Sequence, residues 1–169
     1  MPWATVIANV RLPLEIAHTP APDAQAKAMA ALERVGLADV ASSYPRELSG
    51  GMRMRASIAR AIVTNPRMLL MDEPFAALDE FTRFKLNDDL LQLWQANRWT
   101  VLFVTHSVRE AVFLSERIVV MSPRPGRIAN DLTVQLPPTR DANLRLSHAF
   151  ADESARVTNV LDQAMEHTP

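Results

Sequence analysis

Two short apolar runs joined by a helical pattern constrain the fold of this chain most strongly. The first run covers residues 68–71, and the second covers residues 99–105 and is rich in β-branched side chains. Continuous apolar runs of this length are typical of strands that are buried in a parallel sheet. Residues 80–96, between the runs, repeat leucines at helical spacing. The order strand–helix–strand predicts an α/β fold with parallel strands and flanking helices.

Charged residues follow each apolar run. Asp72 and Glu73 come after the first run, and His106 comes after the second. Because the carboxyl ends of parallel strands meet at one edge of a sheet, where open α/β folds bind their ligands, we expect all three residues at that edge. One carboxylate there suits Mg²⁺, a second can orient a water molecule, and the histidine can contact a phosphoryl oxygen. The alternative is a structural role, with carboxylates that cap the next turn.

A helix that begins with glycines lies ahead of the first run. Residues 48–52 are Leu-Ser-Gly-Gly-Met, and the helical pattern continues to about residue 64. Ser49 is a favoured N-cap residue. The unpaired backbone N–H groups and the dipole at such a helix start attract phosphate. Farther along the helix, we expect Arg53 and Arg55 on a solvated face.

With Ala-Leu-Asp at residues 77–79 added, these segments resemble the ATP-binding subunits of ABC transporters in their order and spacing. By this resemblance residues 48–52 are the signature motif, residues 68–73 the Walker B strand, residues 77–79 the D-loop and His106 the switch histidine. The resemblance covers roughly residues 1–130. It implies a partial P-loop NTPase (ABC ATPase) fold, with a mostly parallel sheet, flanking helices and a helical subdomain that carries the signature.

The resemblance also implies a role for each site residue. Glu73 would polarise the attacking water, His106 would hold the γ-phosphate of ATP, and Asp72 would serve Mg²⁺ through water. Two subunits of this family sandwich two ATP molecules between them. The residues that would close on ATP bound to the other subunit, or cross the dimer interface, are Ser49, Gly50, Gly51 and Asp79.

The sequence contains no phosphate loop of the form Gly-x-x-x-x-Gly-Lys. It has four glycines, and its lysines, Lys27 and Lys85, do not follow any of them. The family's Q-loop glutamine and adenine-stacking aromatic residue are missing too, so the chain resembles the C-terminal two-thirds of such a domain. We expect the chain alone neither to bind ATP measurably nor to hydrolyse it, and micromolar binding of Mg²⁺-ATP in calorimetry would contradict this. We also expect one sheet edge and its apolar face to be uncovered.

Composition narrows the class of protein. The chain is 48% hydrophobic and carries a formal net charge of −1, which is typical of a globular protein and gives no reason to expect a nucleic-acid partner. The absence of cysteine excludes disulfides and thiolate metal sites. No apolar run reaches the roughly 20 residues of a membrane-spanning helix, and no signal peptide is visible. We expect a cytoplasmic protein that is peripheral on the inner face of the cell membrane.

The sequence predicts three parts. Residues 1–66 form a helical subdomain with the signature motif, and residues 67–135 form an α/β core with the Walker B strand, the D-loop and the switch histidine. Residues 136–169 form a tail, in which Asp141 is expected to cap the helix.

Local patterns predict the first two helices. Trp3, Val6 and Val10 are expected to face a small core on one helix, in a region that faces the permease in the family. Residues 19–22 contain two prolines and are interpreted as a linker, because proline disrupts a helix interior. Asp23 is expected to cap the helix that follows, and a glycine ends it.

A turn at residues 123–127 and the signature motif indicate a branch of the family. Residues 117–121 and 127–134 are predicted strands, joined by Pro-Arg-Pro-Gly-Arg at residues 123–127. This turn and the signature resemble importers of nitrate, sulfonate or taurine. The implied function is that of an ATP-binding and ATP-hydrolysing subunit, with ATP and Mg²⁺ as cofactors. Its implied partners are a transmembrane permease, a second ATP-binding subunit and, indirectly, a solute-binding protein.

Two alternatives stay open. The chain can be a non-catalytic interaction subunit that lends its signature motif to a full-length ATPase partner. It can also be an unrelated α/β domain in which the motifs occur by chance. A phosphate loop encoded upstream of Met1 would identify this sequence as part of a complete ATPase.

Overall fold

The structure is a computed structural model that describes residues 1–137 and 139–166. It divides into two compact units, Met1–Val104 and Thr105–Pro169. The first unit contains α1 (Val6–Ile16), α2 (Ala21–Arg34), α3 (Gly50–Ile62), β1 (Met68–Asp72), α4 (Glu80–Asn97) and β2 (Thr100–Val104). The second contains α5 (Val108–Leu114), β3 (Arg117–Met121), β4 (Ile128–Thr133) and α6 (His148–Glu166). Short 3-10 turns lie at Ala38–Val40, Pro45–Glu47 and Ala142–Leu146.

The helix α1 contributes one face to the core of the first unit. Val6, Val10 and Leu14 occupy every fourth position and are buried, as their helical spacing predicts. The prediction that Trp3 joins them is wrong, since its side chain is 76% exposed. Trp3 precedes the N-cap residue Thr5, so it does not share the helical face that packs.

The helix α2 begins earlier than predicted. Its N-cap is Pro20 and its first residue is Ala21, so residues 19–22 are not a separate linker and Asp23 lies in the first turn instead of capping it. Proline is tolerated in a first turn because the N–H groups there have no intrahelical partner. Gly36 ends the helix as predicted, with the left-handed backbone (φ 67°) that glycine adopts without strain.

The strands β1 and β2 pair in parallel, with Asp72 opposite Val104. This confirms the α/β class, the positions of both strands and their parallel direction. The expectation of strands buried on both faces is wrong, and the expectation of an uncovered apolar face is confirmed: Leu69 is 5% exposed, whereas Leu70 is 72% exposed. Only one face of the pair packs against the helical core of this unit.

The second unit is built on an antiparallel ribbon of β3 and β4, which confirms both predicted strands. The helix α6 packs beside α5, where the rings of Phe150 and Phe113 lie 6.4 Å apart between centroids. The buried Arg140 guanidinium donates to the carbonyl oxygens of Phe113 and Ser115. It thereby satisfies carbonyl groups that the last turn of α5 leaves unpaired.

The role of Asp141 differs from its prediction. Its carboxylate accepts bonds from the N–H groups of Asn143 and Leu144, so it caps the short 3-10 turn and not the long helix. The hydroxyl of Ser147 accepts from the N–H of Phe150 at the start of α6. The predicted tail helix therefore begins seven residues after Asp141, at His148.

Residues 138 and 167–169, which belong to the predicted tail, lie outside the described residues. The predicted three-part division at residues 66 and 135 stays a prediction. In the part of the chain that the structure describes, no helix has the length and apolar character that crossing a membrane requires.

Candidate functional site

The signature segment, residues 48–52, forms the start of α3. Ser49 precedes the helix with an extended backbone, and its hydroxyl accepts a hydrogen bond from the N–H of Met52 at 3.2 Å. This is the N-cap that the sequence predicts. Gly50 and Gly51 are the first two helical residues, so their N–H groups have no carbonyl partner within the helix. Such a helix start is suited to an anion.

Both glycines allow α3 to approach residues 78–82 closely. A Cβ atom on Gly51 would lie 2.9 Å from Cγ2 of Thr82, and one on Gly50 would lie 3.0 Å from Cδ2 of Leu78. The sequence interpretation attributes the glycines to phosphate contact alone, whereas the structure adds a packing requirement. Within the first unit, the signature segment and the D-loop segment (residues 77–79) are therefore neighbours.

Asp79 lies at the N-terminus of α4, as predicted for an N-cap. Its Oδ1 accepts a hydrogen bond from the N–H of Thr82 at 2.9 Å. This bond lowers the pKa of the Asp79 carboxyl, because it favours the charged form. The Arg83 guanidinium donates to the carbonyl oxygen of Leu78 at 3.0 Å. The D-loop is thus fastened to the first turn of α4, with the Asp79 side chain still exposed.

A second link joins α3 to α4. The Nε of Arg55 donates to Oδ2 of Asp89 at 2.8 Å, and the two side chains are 22% and 33% exposed. The expectation of a solvated face is therefore wrong for Arg55. Arg53 is exposed as expected, although its guanidinium donates to the carbonyl oxygen of Leu48 at 2.7 Å.

Sequence reasoning missed two residues that support this site, Thr82 and Asp89, and the packing contact of Leu78, which it had placed in the D-loop. Leu78 and Thr82 pack against the signature glycines, and Asp89 pairs with an arginine 34 residues away in the chain. No periodic pattern reveals a contact of that separation. Thr82 alone carried a signal, because it stands three residues after a predicted N-cap, where a backbone N–H is expected to be bound.

The acid pair lies at the carboxyl end of β1. Asp72 is the last residue of the strand, and the N–H of the next residue, Glu73, donates to the carbonyl oxygen of Val104 at 2.9 Å. Glu73 has φ 42°, a left-handed backbone that is uncommon outside glycine and that is concentrated at functional sites. Both side chains are exposed. The pair occupies the expected strand end, and the roles of its members stay predictions.

His106 belongs to the second unit, between the end of β2 and the start of α5. The Thr105 hydroxyl donates to Oε2 of Glu110 at 2.6 Å and accepts from the N–H of Ser107 at 3.0 Å. The Ser107 hydroxyl in turn accepts from the N–H of Glu110 and caps α5. These bonds fix the backbone on both sides of His106, whose side chain is exposed. Its place beside the acid pair stays a prediction.

The residues present fit part of a nucleotide site. Across the described ranges, no group of three His, Cys, Asp or Glu side chains is placed to bind a metal ion together. Mg²⁺ does not need such a cluster, since it is commonly bound through one or two carboxylates and the phosphates of a substrate. Asp72, exposed at a strand end, suits that mode of binding. The start of α3 suits a phosphate group.

Comparison with known proteins identifies the family. The model of the ABC transporter family matches residues 1–76. The chain is 43% identical over 166 residues to the taurine import ATP-binding protein of Rhizobium johnstonii, a match that covers 95% of this chain and 63% of that protein. It is 44% identical over 157 residues to an aliphatic sulfonates import ATP-binding protein of Xanthomonas axonopodis pv. citri, covering 92% and 61%. It is 44% identical over 136 residues to the nitrate import ATP-binding protein of Synechocystis sp., covering 80% and 51%.

Each of these relatives is longer than the segment of it that aligns with this chain. The chain spans between 51% and 63% of their length. The family match implies a P-loop NTPase fold, which agrees with the helices and the parallel strand pair described above. This chain belongs to the family of ABC transporter ATP-binding proteins.

Proposed function

We propose that this chain supplies part of the nucleotide site in the ATP-binding subunit of an importer for small anions of the nitrate, sulfonate or taurine type. The observation that carries the proposal is the packing of the signature segment against the D-loop segment, with Gly51 on Thr82 and Gly50 on Leu78. This packing holds the first N–H groups of α3 near Asp79. By the resemblance, the signature segment closes on the ATP of the opposing subunit and Asp79 of the D-loop segment crosses the dimer interface.

The chemistry of the exposed groups supports ATP with Mg²⁺ as the ligand. The start of α3, with the Ser49 hydroxyl beside it, presents donors to a phosphate chain. Asp72 would hold Mg²⁺, which neutralises phosphate charge when it is bound. Glu73, fixed by its backbone bond to β2, would orient the attacking water, and His106 would donate to a phosphoryl oxygen.

The substrate class and the partners are supported by the relatives. The three relatives named above are import proteins for taurine, aliphatic sulfonates and nitrate. An ATP-binding subunit of such an importer acts with a transmembrane permease, a second ATP-binding subunit and a solute-binding protein. We therefore place this chain at the cytoplasmic face of the membrane, as a peripheral subunit.

A second function is favoured by one feature of the sequence. No Gly-x-x-x-x-Gly-Lys occurs in it, and that loop supplies most of the phosphate binding in related ATPases. A chain of this kind can lend residues 49–51 to the ATP that a full-length partner binds. In such a pair, the site that contains Asp72 and Glu73 would be idle, and the chain would be a non-catalytic interaction subunit.

Two substitutions distinguish these functions in the purified transporter complex that contains this chain. Ser49→Arg places a bulky side chain at the start of α3, and Glu73→Gln removes the carboxylate that orients water. We expect a catalytic subunit to lose about 100-fold or more of its ATPase activity with either change. A subunit that only lends its signature loses activity with Ser49→Arg alone.

Matched controls change exposed residues of the same types. Ser42→Arg and Glu33→Gln alter exposed side chains elsewhere in the first unit and should leave the ATPase rate unchanged. Full activity in both site variants would contradict both functions.

A further inference from the structure

Thr82, in the first turn of α4, contacts both the signature segment and the D-loop segment. Its N–H donates to Oδ1 of Asp79 at 2.9 Å. Its hydroxyl makes a second hydrogen bond to the same carboxyl, and both bonds lower the pKa of Asp79. At the signature helix, a Cβ atom on Gly51 would lie only 2.9 Å from Cγ2 of Thr82. One half-buried side chain therefore lies between the two segments.

The side chain of Thr82 is suited to fix the distance between them. Threonine is branched at Cβ, so its χ1 angle has few accessible values. The hydroxyl and the methyl group leave the same carbon atom, and the direction of one therefore determines the direction of the other. The second contact between the segments is made by the end of the flexible Leu78 side chain against Gly50. That contact can adjust, whereas the contact of Thr82 cannot.

The same turn of α4 also holds the D-loop backbone. The Arg83 guanidinium donates to the carbonyl oxygen of Leu78 at 3.0 Å, so residues 78 and 79 are both bonded to residues 82 and 83. Gly51 has no side chain with which to fix its own distance from α4. The position of the signature segment relative to the D-loop segment is therefore set mainly by Thr82.

We propose that Thr82 is a positioning residue that couples the signature segment to the D-loop segment within one chain. The inference rests on the proposed function, in which residues 49–51 close on the ATP of the opposing subunit and Asp79 crosses the dimer interface. Thr82 acts through Gly51 and Asp79 and not on the nucleotide itself. It presents the two segments in one arrangement, and small errors in the placement of such groups lower a reaction rate strongly.

Three substitutions of Thr82 separate its two contacts in the purified transporter complex that contains this chain. Thr82→Val keeps the methyl group and loses the hydroxyl, Thr82→Ser does the reverse, and Thr82→Ala loses both. We expect each change to lower kcat by about tenfold. The KM for ATP should change by less than about twofold, because an interaction that only positions groups for the reaction does not contribute to ground-state binding.

The alanine variant distinguishes coupling from two independent contacts. Loss of either contact interrupts the coupling, so Thr82→Ala should cost no more than Thr82→Val or Thr82→Ser. Two independent contacts would instead multiply to a loss of about 100-fold, since their free energies add. Thr64, exposed just after α3, is the matched control, and Thr64→Val and Thr64→Ser should leave kcat unchanged. A purely structural role for Thr82 would lower the urea midpoint and leave kcat unchanged.

Amide exchange in the full chain without nucleotide tests the coupling directly. Asp79→Ala removes the acceptor that holds Thr82. We expect exchange to quicken by about threefold or more at Met52 and Arg53, whose N–H groups donate to the hydroxyl and the carbonyl oxygen of Ser49. In a chain that already carries Thr82→Ala, the same change should have no further effect.

The control for this experiment removes a cap elsewhere. Asp141→Ala removes the carboxylate that caps the 3-10 turn of the second unit and should leave exchange at Met52 and Arg53 unchanged. Unchanged exchange in Asp79→Ala as well would overturn the proposal.

The ATPase measurements separate this proposal from the proposed function. Unchanged kcat in Thr82→Val and Thr82→Ser, in a complex that Ser49→Arg inactivates, would overturn the positioning role. A multiplied loss in Thr82→Ala would overturn it too. Full activity in both Ser49→Arg and Glu73→Gln would contradict the proposed function instead, and the exchange rates of the nucleotide-free chain would then decide the coupling alone.

Discussion

Arg55 of α3 and Asp89 of α4 form a partly buried ion pair, with 2.8 Å between Nε and Oδ2. It lies on the same two helices whose first residues pack together through Gly51 and Thr82. The signature helix and the helix that follows the D-loop are therefore joined at two places. A displacement of the start of α3 should therefore be accompanied by a displacement of the start of α4.

The ion pair should contribute measurably to the stability of the first unit. We expect Arg55→Ala to lower the free energy of unfolding by about 1–2 kcal/mol, since a charge-assisted hydrogen bond is lost from a partly buried site. The exchanged pair, Arg55→Asp with Asp89→Arg, should recover part of that loss. Urea denaturation measures both. Arg11→Ala removes the more exposed pair with Glu15 and serves as the control, with a change below about 0.5 kcal/mol.

Gly51→Ala should destabilise the chain, although alanine is normally the better helix former by about 1 kcal/mol. The new methyl group would lie 2.9 Å from Cγ2 of Thr82, a β-branched side chain with little rotamer freedom. We expect a loss of about 1–2 kcal/mol from this overpacking. Adding Thr82→Ser removes the clashing methyl group and should restore stability.

Gly50→Ala is the matched control for this prediction. Its methyl group would meet the end of the flexible Leu78 side chain at 3.0 Å, which can move aside. A larger loss of stability from Gly50→Ala than from Gly51→Ala would contradict the packing argument.

The cap of α4 should depend on pH. The hydrogen bond from the N–H of Thr82 lowers the pKa of Asp79, so its contribution is complete above the carboxyl's unfolded-state pKa. It is lost as the pH falls through the lower folded-state value. Asp79→Asn keeps a good cap without a titrating group, and its stability should change less between neutral and acidic pH. Urea midpoints of the parent and the variant, measured in parallel, provide the comparison.

Acid should also weaken the second unit, through Glu153. This buried carboxylate accepts from the guanidinium of Arg156 and from the N–H of Gln135. The bond to Arg156 is the main reason that the pKa of Glu153 is lowered. The depressed pKa means that the stabilisation is present above about pH 4–5 and disappears as the pH falls through the folded-state value.

Glu153→Gln provides the test at neutral pH. We expect a loss of roughly 1–3 kcal/mol, typical of a hydrogen bond to a charged group, together with a flatter dependence of stability on pH. Glu166→Gln, exposed at the end of α6, should leave the curve unchanged. Identical pH profiles for the parent and Glu153→Gln would show that the carboxylate does not titrate in this range.

The sequence predicted the elements that depend on local pattern. The start of α3 at Ser49, the start of α4 at Asp79 and the parallel pair follow from caps and periodicity, and all three are confirmed. The start of α2 was wrong because a first turn accommodates prolines that a helix interior excludes. Burial of both strand faces, predicted from the apolar runs, was wrong because hydrophobic composition shows which side chains favour an interior, but not whether a partner covers them. The expected uncovered apolar face is confirmed.

The site could be predicted only where its residues carry their own signal. The acid pair and the signature glycines stand in recognisable runs, whereas the partners that hold them do not. Asp89 looks like an ordinary helix residue in the sequence, and Leu78 is recognisable there only as a member of the D-loop. The contacts of both residues join positions that are far apart along the chain. Tertiary packing decides such contacts, and no local propensity encodes them.

The backbone bond from Glu73 to Val104 has a mechanical consequence. Glu73 is joined covalently to one strand and by its amide to the neighbouring strand, so its carboxylate is tied to the register between them. A shear of β2 along β1 by a single residue would break that bond and exchange the two faces of β2. The orientation of this acid is therefore a sensitive indicator of strand alignment.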